Sequence, residues 1–177
     1  DSRLIAEAES KMGILTKIQR ALVKRQTKLK ARTVKVPEIK EERLKSQVLA
    51  RVRAFEEAKK LSLEGLSGYL SDCKSLVKKS MQSQEDLLEA FVPSCCFDVS
   101  MGKLEQKRAS LEAKRKETAQ AALKVKGLIQ RKDVFFSKCA AISTEQKEVQ
   151  DCIERAVVAQ EALDLMDEKI DLMSAKL

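Results

Sequence analysis

In residues 149–177 non-polar side chains return every seven positions. Val149, Ala156, Leu163, Ile170 and Leu177 fall seven apart, and Cys152, Ala159, Met166 and Met173 follow three after each of the first four. Four consecutive heptads with both seam positions non-polar mark a helix that packs along its length against other helices. Ile153, Val157, Leu165 and Leu172 widen this face beyond two positions in seven. A face that wide predicts packing against more than one neighbour, as in a bundle of three or four helices.

The rest of the chain is compatible with that demand. Its 177 residues give room for one domain or one elongated bundle. Only five Gly and two Pro punctuate it, and aromatics make up 3%. A β-rich or α/β domain needs more turn residues and more aromatic side chains than that. The expected class is therefore all-α: an elongated antiparallel helical bundle or coiled coil of about four long helices joined by short corners.

Four segments follow from the apolar spacing. The first helix is expected over residues 2–35, where Ala8, Leu15, Leu22 and Leu29 recur every seven residues. Pro37 ends it, because the residue before a proline is pushed out of helical geometry, and a proline also suits the first turn of a new helix. The second helix is expected over 38–91, with Leu44, Val48, Val52 and Phe55 on its stripe. Gly65 and Gly68 each disfavour a helix interior by roughly 1 kcal/mol relative to Ala. They predict a break or kink near 62–68. Pro93 ends this helix, and Asp98 or Ser100 suits the start of the next. The third helix is expected over 101–142, with a thin first half that keeps only Leu104 and Leu111 as large apolar residues. Ser143 followed by Gln146 resembles a capping box, which sets a break and starts the fourth helix over 144–177. Residues 1–177 read as one such domain, cut from a longer protein.

The side chains exclude whole classes of chemistry. Histidine is absent, so Ser-His-Asp and Cys-His catalysis and His-based metal sites are excluded together. The Gly-Lys pair at 102–103 lacks the flanking residues of a phosphate loop. Cys73, Cys95, Cys96, Cys139 and Cys152 are odd in number and contain no Cys-x-x-Cys pair. They read as reduced thiols of an intracellular protein, cytoplasmic or nuclear, with the Cys95-Cys96 pair in a loop. No apolar run approaches the 18 residues of a membrane span. The expectation is a non-enzymatic chain with no cofactor, no metal and no small-molecule substrate.

Charge is unevenly spread. The net charge is +8, yet residues 1–36 hold ten basic and three acidic residues, whereas 144–177 hold four basic and nine acidic ones. In an up-down-up-down bundle the first and fourth helices are antiparallel neighbours. Their opposite charges would then select register and partner more than add stability. The basic run exceeds what one face can neutralise. Lys17, Arg20, Lys24, Arg25, Lys28 and Arg32 are thus candidates for a polyanion: an acidic protein filament, nucleic acid or an acidic membrane. No aromatic residue interleaves them, and no DNA-reading motif surrounds them.

Two functions fit these features. The first is a structural module that binds a protein partner, or a second copy as a homodimer, through the seam Val149, Cys152, Leu163, Met166, Ile170 and Met173. The alternative is polyanion binding through the basic face of the first helix.

Overall fold

In a computed structural model the described residues are 2–91 and 101–177, with side chains described for 3, 6, 7, 9–82 and 102–177. They form three helices and no strands: α1 (Ser2–Ala31), α2 (Glu42–Phe91) and α3 (Met101–Lys176). The all-α class holds, and three helices stand where four were expected. Pro93, Cys95, Cys96, Asp98 and Ser100 lie outside the described residues.

The chain divides into two compact units, and each helix contributes to both. Unit 1 comprises residues 1–24 and 66–135, and unit 2 comprises 25–65 and 136–177.

In unit 2 the buried cluster takes Leu29 from α1, Val48 and Phe55 from α2, and Ile142, Val149, Ile153 and Ala156 from α3. Ile39, from the segment between α1 and α2, completes it. These are the apolar positions at helical spacing, so removing them from water drives the packing. Contacts from the end of α1 and the segment after it advance along α3 in the same direction. Arg25 lies 4.7 Å over the Phe136 ring, Arg32 donates from Nη1 to Gln146 Oε1 at 2.7 Å, and the Glu41 N–H donates to Gln160 Oε1 at 2.9 Å. The last stretch of the chain therefore runs parallel to α1 here, and the antiparallel pairing expected of a first and fourth helix does not occur.

The expected break at Ser143 is absent because both sides of it are anchored in one cluster. Ile142 and Val149 are buried together, and no Gly or Pro interrupts the run. Gln146 bonds across to Arg32 instead of reaching back to cap a helix start. The Thr144 hydroxyl donates to the Ala140 carbonyl at 3.3 Å, as it does within a continuous helix.

The first corner is longer than expected. α1 stops at Ala31, where the Arg32 N–H donates to the Leu29 carbonyl at 3.2 Å. The carbonyls at that end are met by Lys59, whose Nζ donates to Arg32 O at 2.7 Å and Lys30 O at 3.4 Å. α2 starts at Glu42, not at 38, since Ile39 is drawn into the cluster and holds residues 32–41 out of helix. Glu41 caps α2: its Oε2 accepts from the Leu44 N–H at 2.7 Å.

α2 also runs unbroken through Gly65 and Gly68. Neither takes a positive φ. Leu63 on one side packs on the unit 2 cluster, and Leu66, Tyr69, Leu70 and Cys73 on the other are buried in unit 1. That burial outweighs about 1–2 kcal/mol of glycine propensity.

Unit 1 buries Leu15, Ile18 and Leu22 from α1, Leu66, Tyr69, Leu70, Cys73 and Leu76 from α2, and Val125, Leu128 and Phe135 from α3. The Tyr69 ring stacks on Phe135 with centroids 4.4 Å apart, and its hydroxyl donates to the Leu128 carbonyl at 2.6 Å. Burial pushes the Tyr69 phenol well above its ordinary range, with the neighbouring Cys73 adding to the effect. Burial likewise raises the Cys73 thiol.

Candidate functional site

The α3 stripe changes its facing partway along unit 2. With Val149 as heptad position a, the residues that pack inward sit at a, e and b: Ile142, Val149 and Ala156 at a, Ile153 at e, and Val157 at b. One heptad further, the e position becomes Gln160 and then Asp167, and the b position becomes Asp164 and then Asp171. At e and b the inward side turns from hydrocarbon to carboxylate within a few residues while a stays apolar, and carboxylates resist burial without partners. Gln160, which takes the Glu41 N–H, sits at this change.

Beyond Gln160 every residue is exposed, yet apolar side chains persist. Leu163 and Ile170 at a, Met166 and Met173 at d, and Leu165 and Leu172 at c range from 38% to 69% exposed, with Val158 at c similarly open. At 100° per residue, positions c, g, d and a are neighbours on the wheel. They form an apolar arc of about 160°, with the stems of Lys169 and Lys176 at g inside it. The acids Glu161, Asp164, Asp167, Glu168 and Asp171 occupy e, b and f on the other side. Scattered exposed apolar residues are ordinary, whereas a contiguous exposed stripe is not.

The six expected seam residues are thus divided. Val149 is 4% exposed inside the unit 2 cluster and has no face left to offer. Cys152 is half-buried. Leu163, Met166, Ile170 and Met173 stand together on the open arc.

The six basic residues are divided too. In unit 1, Lys17, Arg20 and Lys24 are exposed. In unit 2, Lys28 is exposed, while Arg25 lies over the Phe136 ring and Arg32 is half-buried against Gln146. The Arg25 charge also favours the thiolate of Cys139, although burial dominates and raises that thiol. The acidic residues 161–171 are exposed, and the two basic residues with described partners on α3, Arg25 and Arg32, meet Phe136 and Gln146, upstream of that stretch.

Sequence reading overlooked Lys59, Ile39 and Gln160. A signal existed for Lys59: it lies four after Phe55 and four before Leu63, on the apolar stripe, where a lysine is out of place unless a polar group meets it. For Ile39 and Gln160 local pattern held no such cue.

No group of His, Cys, Asp and Glu among the described residues could hold a metal ion. None of the described helices is long and apolar enough to cross a membrane. A groove of about 420 Å³ in unit 1 carries Asp72 among Lys79, Lys124 and Arg131. Comparison with protein-family models, curated proteins and solved structures yields no match to this chain.

Proposed function

We propose that the protein is a non-enzymatic interaction module whose contact surface is the open arc of α3, centred on Leu163, Met166, Ile170 and Met173. The observation that carries this reading is the switch at Gln160: the heptad continues while the side it shares with the chain's own core turns acidic. An apolar stripe retained where the intrachain cluster ends is suited to a helix from another chain, read at positions spaced i, i+3 and i+7.

A photo-reactive residue in place of Met166 tests this in the full chain, with Glu168, two residues away on the acidic side, as control. The expected result is intermolecular adducts from position 166 and few from 168. Equal yields from both positions overturn the reading.

A second reading draws on the exposure of Lys17, Arg20 and Lys24 in unit 1, which suits a polyanion. Binding to an acidic filament, nucleic acid or vesicle would fall steeply with salt and be lost on replacing all three by Glu. Undiminished binding in that variant removes this reading.

A further inference from the structure

The groove of unit 1 is walled by two helical stripes of the same pattern. Asp72, Leu76 and Lys79 line it from α2, and Lys124, Leu128 and Arg131 line it from α3. In each stripe the charged residues stand seven apart, with the leucine on the same face between them. Leu76 and Leu128 are buried, so the floor is apolar and the charges stand at its two ends. Ser75 adds a hydroxyl to one wall. Gly127 keeps the other wall low, and a Cβ built there meets nothing within 4 Å.

Which charges face each other follows from the direction of the helices. Tyr69 stacks on Phe135 and bonds to the Leu128 carbonyl, so it stands level with the stretch of α3 between them. If α2 and α3 ran parallel, Phe91 and Met101 would lie on the order of 80 Å apart at 1.5 Å per residue. The chain from one to the other reaches at most about 36 Å. The helices therefore run antiparallel here, which sets Asp72 toward Arg131 and Lys79 toward Lys124. Arg131 also lies 6.0 Å over the Phe135 ring, and its charge reaches Tyr69 at the same end as Asp72.

The two ends differ in charge balance. At one, Asp72 offsets Arg131. At the other, Lys79 and Lys124 face each other with no carboxylate among the described residues that line it. Neither lysine has a hydrogen-bond or ion-pair partner among the described residues. Residues 72–79 and 124–132 together hold seven basic residues and one acidic one, and a cleft walled by one sign of charge concentrates its field on the opposite sign. Two cations facing across a helix seam repel, and an anion between them replaces that repulsion with two attractions. Phosphate oxygens accept charge-assisted bonds from lysine. The groove spans two helical turns, about 10 Å, and a continuous polyanion laid along it would meet the Asp72 carboxylate at the far end.

We infer that this groove binds a small organic phosphate. The phosphate group sits between Lys79 and Lys124, and a hydroxyl-bearing body lies over Leu76 and Leu128, donating to Asp72 and accepting from Arg131. A volume of about 420 Å³ is that of a small-molecule site. The site uses none of Lys17, Arg20 and Lys24, and it stands independently of the open arc of α3.

Glucose 6-phosphate and glucose are the probes, each titrated into the full chain at fixed ionic strength and followed by phosphorus and amide NMR signals. The sugar phosphate is expected to saturate with a millimolar or lower Kd, and glucose is not. Lys79→Gln and Lys124→Gln are each expected to weaken binding at least fivefold, the loss of one charge-assisted bond. Lys78→Gln, one position off the groove, should change it less than twofold. Asp72→Asn should weaken glucose 6-phosphate without weakening inorganic phosphate. Gly127→Leu keeps every charge but fills the groove, and is expected to abolish binding. If that variant melts earlier than the native chain, the exposed lysine positions carry the test. Absence of saturation in the millimolar range, an equal effect of Lys78→Gln, or undiminished binding in a folded Gly127→Leu overturns the inference. So does an oligonucleotide or a phosphatidic acid vesicle that requires Lys79 and Lys124 when glucose 6-phosphate does not bind, because the phosphate then belongs to a polymer or a membrane.

Discussion

Lys59 closes the end of α1: its Nζ donates to the Arg32 carbonyl at 2.7 Å while its side chain is only 8% exposed. The last carbonyls of a helix have no partner within it, and a cation near that terminus is favoured by the backbone dipole. A second, longer bond to Lys30 O shares the same nitrogen. The stem of Lys59 meanwhile fills a place on the apolar stripe of α2 between Phe55 and Leu63.

Replacing Lys59 separates these two roles. Lys59→Met keeps the stem and removes the donor, leaving the Lys30 and Arg32 carbonyls unmet. Urea denaturation is expected to show a loss of about 1.5–3 kcal/mol, the range for a hydrogen bond involving a charged group. No loss would mean that solvent caps this helix end equally well.

Tyr69 makes an independent probe because it is the single tyrosine and there is no tryptophan. Tyr69→Phe keeps the ring stack on Phe135 and removes the bond to Leu128 O, and is expected to cost about 0.5–1.5 kcal/mol.

The same residue predicts a pH dependence. Its folded-state pKa is raised above the ordinary value of about 10. A raised pKa means that stability is fully present below the unfolded value and is lost as pH rises through the folded one. Stability should therefore fall above about pH 10, and tyrosinate absorbance should appear together with unfolding. Tyr69→Phe should reduce that alkaline slope. Tyrosinate that forms near pH 10 in a still-folded chain would contradict the buried, bonded phenol.

Gly68 reports on the continuity of α2. A Cβ built there meets nothing within 4 Å, and no glycine has a positive φ. Gly68→Ala should stabilise the protein by about 0.5–1 kcal/mol through helix propensity and a more restricted unfolded chain. Destabilisation would restore the kink that two nearby glycines suggest.

Much of the helical content was legible from spacing alone, because Leu15, Leu22 and Leu29 on α1 and Val149, Ala156 and Leu163 on α3 repeat on a period that only a helix satisfies. Corners were less legible. Propensity placed a kink at Gly65 and Gly68 and a cap at Ser143, and in both places buried residues on either side hold the helix together. Pro37 marked the corner, but its length depended on Ile39 entering a core assembled from three distant segments. The open arc was half legible. The heptad from Val149 to Met173 reads as one seam, whereas the polarity change at Asp164 and Asp167 divides it into an inward and an outward part. That division becomes visible only once α1 and α2 show which side of α3 is inward.

The α3 stripe serves the chain's own core up to Val157, and on the proposed function its continuation beyond is open to another chain. Paired alanine substitutions measured by urea denaturation at a concentration low enough to keep chains apart test it most directly. Ile153→Ala, inside the unit 2 cluster, should cost about 2–5 kcal/mol. Ile170→Ala, at 57% exposure on the open arc, should change stability by no more than about 0.5 kcal/mol. A loss at Ile170 as large as that at Ile153 would show that the arc is already packed within the chain and has no surface to offer.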